Sequence, residues 1–418
     1  VIPLDEARAF VLSGSVCGPT VSLALPDALG AVLAEAVVAG EAVPPFANTA
    51  MDGFAVRGAD TIGADTQHPV ELRVVGTVRA GMSGTDTLVG AGEAARIMTG
   101  APMPPGADAV VMVEATAADD SSGTVAVRAE VAPGRHVRPV GDDIEVGDVV
   151  APAGTVLTAG HLGLLATVGV TELSVVRRPV VGVLSTGDEL VEGGRPLSPG
   201  QIRDSNRLAL RSLLGVSGFE VVDLGLVADD ESAIEAALRD GVARCDALVT
   251  SGGVSMGDFD FVKVVLDRIG AMRWMQVAIR PAKPLAFGTV ARPDGTLVPV
   301  FGLPGNPVSS LVSFELFCRP ALRQMAGRTG VDRFRPAVSA VVDEALSRQP
   351  DQKVHFARVL VHHRHDDGRY HARSAGPQGS HQLTAMAGAQ GLAELPDGPS
   401  LDVGSTVTVH LLDSALGF

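Results

Sequence analysis

Cysteine is scarce in this chain: Cys17, Cys245 and Cys318 are the only three in 418 residues, and they lie far apart. An odd, scattered set excludes a disulfide framework and a thiolate zinc site, and it fits a reducing cytoplasm. Long apolar runs are missing as well. No stretch approaches the ~20 residues needed to cross a bilayer, so no membrane partner is expected. The opening residues Val1-Ile2-Pro3-Leu4-Asp5-Glu6 carry no basic segment and no hydrophobic core, and so do not read as a signal peptide. Positive charge is in deficit, with 33 basic against 48 acidic residues and a formal charge of −15. Such a chain stays soluble and offers nucleic acid no broad basic face. Lysine is rarest among the charged residues. Lys263, Lys283 and Lys353 are the whole set, and arginine supplies the remaining fixed positive charge.

What is present is ordinary for a soluble globular protein: 46% hydrophobic and 19% charged residues. The length suggests about three domains at roughly 150 residues each. Residues 1–45 read as helical. Leu4, Ala7, Phe10 and Val11 follow helical spacing, and a second helix is expected from Pro26 to Leu33. Between 46 and 150, short valine-rich runs (Val70 to Val78, Val110 to Val113, Thr124 to Val127) alternate with turn clusters, which predicts a small β domain. Residues 155–170 return to a helical pattern. From 178 onward, wholly apolar runs at Val180, Val221, Ala247 and Leu297 alternate with helical segments starting at Asn206, Glu231, Phe259 and Pro307. That texture indicates a parallel sheet covered on both faces. Arg328 to Pro336 reads as a linker, and the strand-like remainder, rich in Gly and Pro turns, suggests a small β-barrel.

In an open parallel sheet, ligands bind beyond the carboxyl ends of the strands. Four loops therefore matter: Ser185 to Glu189, Asp229-Asp230, Ser251 to Asp260, and Gly302 to Ser310. Three carry carboxylates and three carry glycine. The Gly252-Gly253 and Gly302-to-Asn306 loops each run from a strand into a helix, where glycine lets the backbone approach an anion and the helix start offers unpaired N–H groups. Asn306 is expected to cap the last helix, with Pro307 in its first position. Carboxylates beside a phosphate cradle repel the ligand unless a divalent cation bridges them, so the loops together predict a Mg²⁺–phosphate site.

Two other motifs lead elsewhere. Gly253-Val254-Ser255-Met256-Gly257 fits the G-x-S-x-G nucleophile elbow of hydrolases, with His355, His362, His363, His365, His371 and His381 available as partners. The extra Gly252 loosens the tight elbow, and the histidines fall in a separate β region. The run His362-His363-Arg364-His365 invites a metal, but no cysteine joins it. An exposed hairpin turning at Asp366-Asp367-Gly368 explains it better.

Read with segments outside the sheet, these loops resemble the molybdopterin molybdenumtransferase family, which includes the gephyrin E domain. The matching stretches are Pro44 to Val56, Arg96 to Pro102, Pro105 to Val111, Gly141 to Ile144, Ser185 to Leu190, Ser251 to Asp260, Pro281 to Pro284 and Gly302 to Pro307, in the family's order. The resemblance implies an α/β multidomain fold. Residues 1–45 and 147–177 would form an elongated helical/β domain, with a β domain at 46–146 inserted into it. An α/β sheet domain at 178–327, similar to the pterin-adenylating enzymes, and a C-terminal β-barrel at 328–418 would follow.

The resemblance also implies a homodimer, in which Asp52, Thr99 and Asp143 of one subunit complete a site with Glu189, Asp229, Asp260, Arg280, Lys283, Pro304 and Pro307 of the other. Glu189 and Asp260 would hold Mg²⁺. Ser251, Gly252, Gly253, Ser255, Gly305 and Asn306 would contact the substrate. The implied reaction converts adenylyl-molybdopterin and molybdate to molybdenum-molybdopterin and AMP, with the adenylyltransferase that supplies the substrate as a partner. A bare molybdopterin adenylyltransferase would not need the segments before 178, and a non-catalytic gephyrin-like scaffold would not need intact acidic loops. Three positions depart from the family: Gln276 and Arg280 stand where lysines are common, and Ala282 replaces a common glycine.

Overall fold

The computed structural model describes residues 1–119, 121–253 and 261–412. The chain divides into two compact units, one of Ser22–Leu29 with Glu35–Leu173, the other of Val1–Val21, Gly30–Ala34 and Ser174–Phe418. Among the described residues, no helix is long and apolar enough to cross a membrane.

The first unit is built on a six-stranded sheet in which Gly53–Val56 lies between Ala109–Met112 and Glu93–Ile97, followed by Val70–Val78, Thr124–Val127 and Thr116–Asp119. Successive side chains in a strand point to opposite faces. Phe54 and Val56 accordingly pack with Leu72, Ala94 and Val111, whereas Ala55 joins Val78, Ile97 and Val110 on the other face. Gly53, which follows Asp52 directly, leaves no room for a side chain: a Cβ there would lie 1.9 Å from the Val111 carbonyl oxygen.

The amino-terminal 45 residues correct the expectation of two helices. Leu4–Ser13 is helical, but the second segment is a strand, Thr20–Ala24, a single 3-10 turn, Leu25–Asp27, and a short strand, Val32–Leu33. Gly30, in a left-handed conformation at φ 72, sits where the expected helix would have run on.

The second unit contains a six-stranded sheet in the order Glu220–Val227, Val180–Thr186, Ala247–Ser251, Leu297–Leu303, Pro284–Ala291, Gly270–Gln276. The first four strands are parallel, as the apolar runs predict. The last two form an antiparallel extension that the sequence does not advertise, because Gly270–Gln276 is a half-exposed edge with a mixed pattern. Helices cover both faces. Leu210, Leu214, Val308 and Leu322 pack with Val181, Val249 and Phe301 on one side, and Ile234, Leu238, Val265 and Leu266 pack with Leu184, Leu248 and Val300 on the other. The helical run from Pro307 to Met325 passes through a π-helical turn at Phe314–Cys318, which places Glu315 in the interior.

Five strands then close on themselves. Val354–His363 pairs with Tyr370–Ser374 on one side and Gly391–Leu395 on the other, and Ala337–Val342 and Thr406–Leu411 complete the ring, giving the C-terminal β-barrel. Ile279–Arg280 pairs in parallel with Val354 and His355, which ties the segment carrying Arg280 to the barrel.

Gly53→Ala tests how rigidly the first sheet holds the segment beside Asp52. The clash is with backbone, which cannot rotate away. We expect a loss of about 1–3 kcal/mol, the usual cost of overpacking, read from the shift in urea midpoint. An unchanged midpoint would show that the strands separate freely.

Candidate active site

Parallel register sets the site's floor. Ser185 pairs with Leu226 and Ser251 on its two sides, and Ser251 pairs with Leu303, so the loops after all four strands emerge side by side. The chain moves from Val180–Thr186 to a neighbour on one side and then to Ala247–Ser251 on the other. Strand order thus reverses between these strands, opening the crevice in which ligands of such sheets bind.

Two glycine loops flank that crevice. Gly252 has φ 94, its N–H donates to the Leu303 carbonyl at 3.1 Å, and a Cβ on it would lie 3.0 Å from the Thr186 carbonyl oxygen. Gly253 is also left-handed, at φ 70. Asn206 joins the two loops: its Nδ2 donates to Ser251 Oγ at 2.8 Å and to the Gly305 carbonyl at 2.7 Å. Asn206 is held in turn by its neighbours. Asp204 accepts from Ser185 Oγ at 3.2 Å and from Arg207 Nε at 3.0 Å, and the nearly buried Arg207 also pairs with Asp223 and Glu192. Sequence reading passed over Asp204-Ser205-Asn206; the available signal was a polar triplet opening a helix just past the first strand. Pro304 is buried, and Pro307 occupies the first turn of its helix. Asn306 stands at the cap position but makes no side-chain cap bond, contrary to expectation, and its side chain is left exposed.

The acidic groups meet at the first two loops. The Asp188 N–H donates to Asp229 Oδ2 at 3.4 Å and the Asp229 N–H donates to Asp188 Oδ1 at 3.1 Å, so the loops are stapled reciprocally. Gly187, at φ 146, allows the Glu189 carboxylate to fold back, since a Cβ there would sit 2.7 Å from Glu189 Oε2. Partial burial raises the Asp229 carboxyl above the usual carboxylate range. The Asp188 N–H opposes that shift, and repulsion from Asp188 and Glu189 adds to it. Asp188 was not among the expected site residues. Asp260 and Ser255 lie outside the described residues, and among those described no group of three His, Cys, Asp or Glu is arranged to hold a metal by itself. The arrangement is a partial shell, with charge left uncompensated. It fits Mg²⁺, which usually takes one or two carboxylates and completes its octahedron with water and substrate phosphate.

Cationic groups gather near the barrel. Arg280 precedes a cis peptide to Pro281, and Ala282 has φ 77, which accounts for the glycine common there in the family. Arg280 lines a cavity of about 640 Å³ with Arg348, His355, Arg358 and Gln378. Arg358 is 1% exposed, donates to the Pro377 and Gly379 carbonyls at 3.3 and 3.2 Å, and keeps a buried Nε without a partner. Burial pushes its guanidinium down to about 10. The same loop reaches the glycine-loop helix, where the Val308 N–H donates to the Ser380 carbonyl at 3.1 Å. Sequence reading missed Arg348 and Arg358, because an arginine in the barrel region looks like a solvated surface residue until burial is known. Lys283 is exposed and its side chain makes no hydrogen bond or ion pair with described residues, while its carbonyl accepts from the Val277 N–H at 2.7 Å.

In the other unit, Thr99 donates from its N–H at 2.6 Å and its Oγ1 at 2.7 Å to one oxygen of Asp52, and these bonds lower the Asp52 pKa. Asp143 is exposed and shares no hydrogen bond with this pair. The histidine run behaves as a hairpin, with His362 paired to His371. His371 itself is buried, with a ring nitrogen 2.8 Å from each of Asp343 and Asp367.

Three family profiles cover almost the whole chain: MoeA N-terminal region (domain I and II) over residues 2–169, "Probable molybdopterin binding domain" over 182–324, and MoeA C-terminal region (domain IV) over 340–412. Molybdopterin molybdenumtransferase 2 of Mycobacterium tuberculosis is 41% identical over 94% of this chain and 95% of its own length. The molybdopterin molybdenumtransferase of Haemophilus influenzae is 36% identical over 100% of both. The chain belongs to the molybdopterin molybdenumtransferase family. Its fold agrees with that of a solved family structure, the molybdopterin biosynthesis MoeA protein of Pyrococcus horikoshii, at a TM-score of 0.81 and 33% identity over 99% of this chain and 100% of that one.

The acidic cluster of this family member makes a pH-dependent prediction. Because folding raises the Asp229 pKa, its ionised form costs stability above that raised pKa, and the cost disappears as pH falls through the ordinary carboxylate value of 3.8. Asp229→Asn should therefore raise the thermal midpoint near neutral pH, with the gain shrinking toward about pH 4. Added Mg²⁺ should raise the wild-type midpoint more than the variant's. A variant less stable than wild type at neutral pH would show that Asp229 is held by attraction and not repulsion.

Proposed function

We propose that this chain inserts molybdenum into adenylyl-molybdopterin, taking adenylyl-molybdopterin and molybdate to molybdenum-molybdopterin and AMP. The observation that carries the reading is one sheet edge on which two glycine loops, joined by Asn206, adjoin the stapled carboxylates of Asp188 and Asp229. The dithiolene sulfurs belong to the substrate, so the protein need supply no nucleophile. Amides of Gly253 and Gly305, with Ser251, Gly252, Pro304, Asn306 and Pro307 around them, position the phosphates. Asp188, Glu189 and Asp229, together with Asp260, would hold and orient Mg²⁺, and Ser255 would contact the substrate. A Mg²⁺ held by these residues would supply charge neutralisation and Lewis-acid polarisation for hydrolysis of the phosphoanhydride, the bond whose cleavage by water releases AMP. Arg280 and Lys283, with Arg348 and Arg358 behind them, neutralise molybdate or phosphate oxygens.

The Asp52–Thr99 pair and Asp143 complete the site in a homodimer, with each subunit's β domain serving the other subunit's sheet. In this reading the four domains keep the boundaries given above, 1–45 with 147–177, 46–146, 178–327 and 328–418. The enzyme receives its substrate from the adenylyltransferase of the same route, in the reducing cytoplasm that its free thiols suit.

Purified chain given adenylyl-molybdopterin, Mg²⁺ and molybdate should release AMP and yield metallated pterin; no AMP release with authentic substrate would overturn the reading. Lys283→Ala should weaken binding of molybdate or adenylated pterin by about ten- to a hundredfold, the equivalent of roughly 1.5–3 kcal/mol for a hydrogen bond to a charged group. Unchanged affinity for both ligands would leave Arg280 as the main cation.

The dimer has its own test. Asp52→Ala and Glu189→Ala chains, each inactive alone, should regain part of the activity when mixed and reassembled, since some heterodimers would carry one intact site. A fully active monomer would refute it.

A further inference from the structure

A second basic cavity, of about 750 Å³, lies in the Ser174–Phe418 unit and shares no lining residue with the site described above. Four arginines line it, Arg8, Arg323, Arg328 and Arg335, against two carboxylates, Glu315 and Asp332. Glu315 is already committed. Arg335 takes both its oxygens at 2.9 Å, and Arg319 Nε takes one at 2.8 Å. Asp332 has no arginine within ion-pair distance among the described residues.

The other three guanidinium groups are left without a carboxylate within hydrogen-bond distance. Arg323 donates to the Phe334 carbonyl at 3.0 Å and Arg328 to the Gly30 carbonyl at 3.4 Å. Arg8 comes no closer than 3.7 Å to Asp5, which is itself exposed, and its buried Nε has no partner. The strain of this grouping shows at Arg323, which burial and then repulsion from Arg328, Arg319 and Arg335 push down to about 10. Apart from His410, whose Nε2 lies 2.7 Å from Glu394, the rest of the wall is apolar, with Leu316, Val331, Phe334 and Leu392 among its residues. The volume is in the range of small-molecule sites, roughly 300–1,000 Å³.

We propose that this cavity binds a small organic phosphate, its phosphate group held by Arg8, Arg323 and Arg328 and its apolar part against Leu316, Val331 and Phe334. A phosphate dianion matches guanidinium forks in shape and charge, and relieves the repulsion among them. Inorganic phosphate would satisfy the cations but leave the apolar wall wet, so an organic ester binds more tightly. The site stands apart from the proposed reaction, and neither depends on the other.

Phenyl phosphate is a suitable probe, titrated calorimetrically into the full chain at low salt in a phosphate-free buffer. We expect a site that binds inorganic phosphate more weakly than the probe and loses about tenfold or more in affinity in Arg8→Gln and Arg328→Gln, as for a lost charged hydrogen bond, whatever the proposed active site binds. Arg280→Ala should bind the probe like the wild type. Absence of binding to the wild type overturns the proposal. So does binding lost in Arg280→Ala but kept in Arg8→Gln, which would put the phosphate in the other cavity. Equal affinity for inorganic phosphate would remove the organic ligand. Should the arginine variants fail to fold, Ala337→Asp adds a negative charge at an exposed rim position without removing a buried contact. With its thermal midpoint unchanged, it must also weaken binding by about tenfold; normal binding overturns the proposal.

Discussion

The side-chain amide of Asn206 holds the candidate site together. One nitrogen donates to Ser251 Oγ and to the Gly305 carbonyl, and so joins the ends of two neighbouring strands whose loops would otherwise diverge. The joint works because the strands are already in register, with Ser185, Ser251 and Leu303 aligned across the sheet. It is stiff because Asn206 opens a helix anchored by Leu210 and Leu214 in the core and by the Arg207 ion-pair network at its start.

Around that joint the charges are sorted by sign. Carboxylates occupy the loops of the first two strands, and Asp229 carries the electrostatic cost of their closeness. Guanidinium groups occupy the barrel side, where Arg358 spends its donors on backbone carbonyls, Arg348 divides its own between carbonyls and the Asp351 and Asp397 carboxylates, and each keeps a buried Nε unpaired. In a chain with a formal charge of −15, buried arginines held by carbonyls cannot be explained by general solubility. Together the two regions suit a substrate that brings both phosphate and oxyanion, with a divalent cation to reconcile phosphate and carboxylate.

Legibility from sequence followed the physics of each element. The four parallel strands were readable because strands buried on both faces are apolar throughout, and the glycine and acidic loops were readable because they follow those strands directly. The antiparallel edge Gly270–Gln276 was not, since a half-exposed edge has no clean period. The segment from Pro26 to Leu33 misled because its composition is helical, while a left-handed Gly30 breaks it. Asn306 takes the cap position that its residue type suggests, but its side chain makes no cap bond.

Sequence alone determined the family, the order of its segments, the parallel sheet with its ligand-facing loops, the closing barrel, and the identities of Asp52, Thr99, Glu189, Asp229, Arg280 and Lys283 as candidates. These are local properties: periodicity, turn chemistry and short ordered motifs persist along the chain whatever it packs against. Tertiary structure alone decided that Asp188 and Asp229 are stapled, that Asn206 bridges two loops 45 and 99 residues away, and that Arg348 and Arg358 are interior cations. Burial and long-range hydrogen bonding are set by which surfaces meet, and a sequence read one segment at a time holds no record of that meeting.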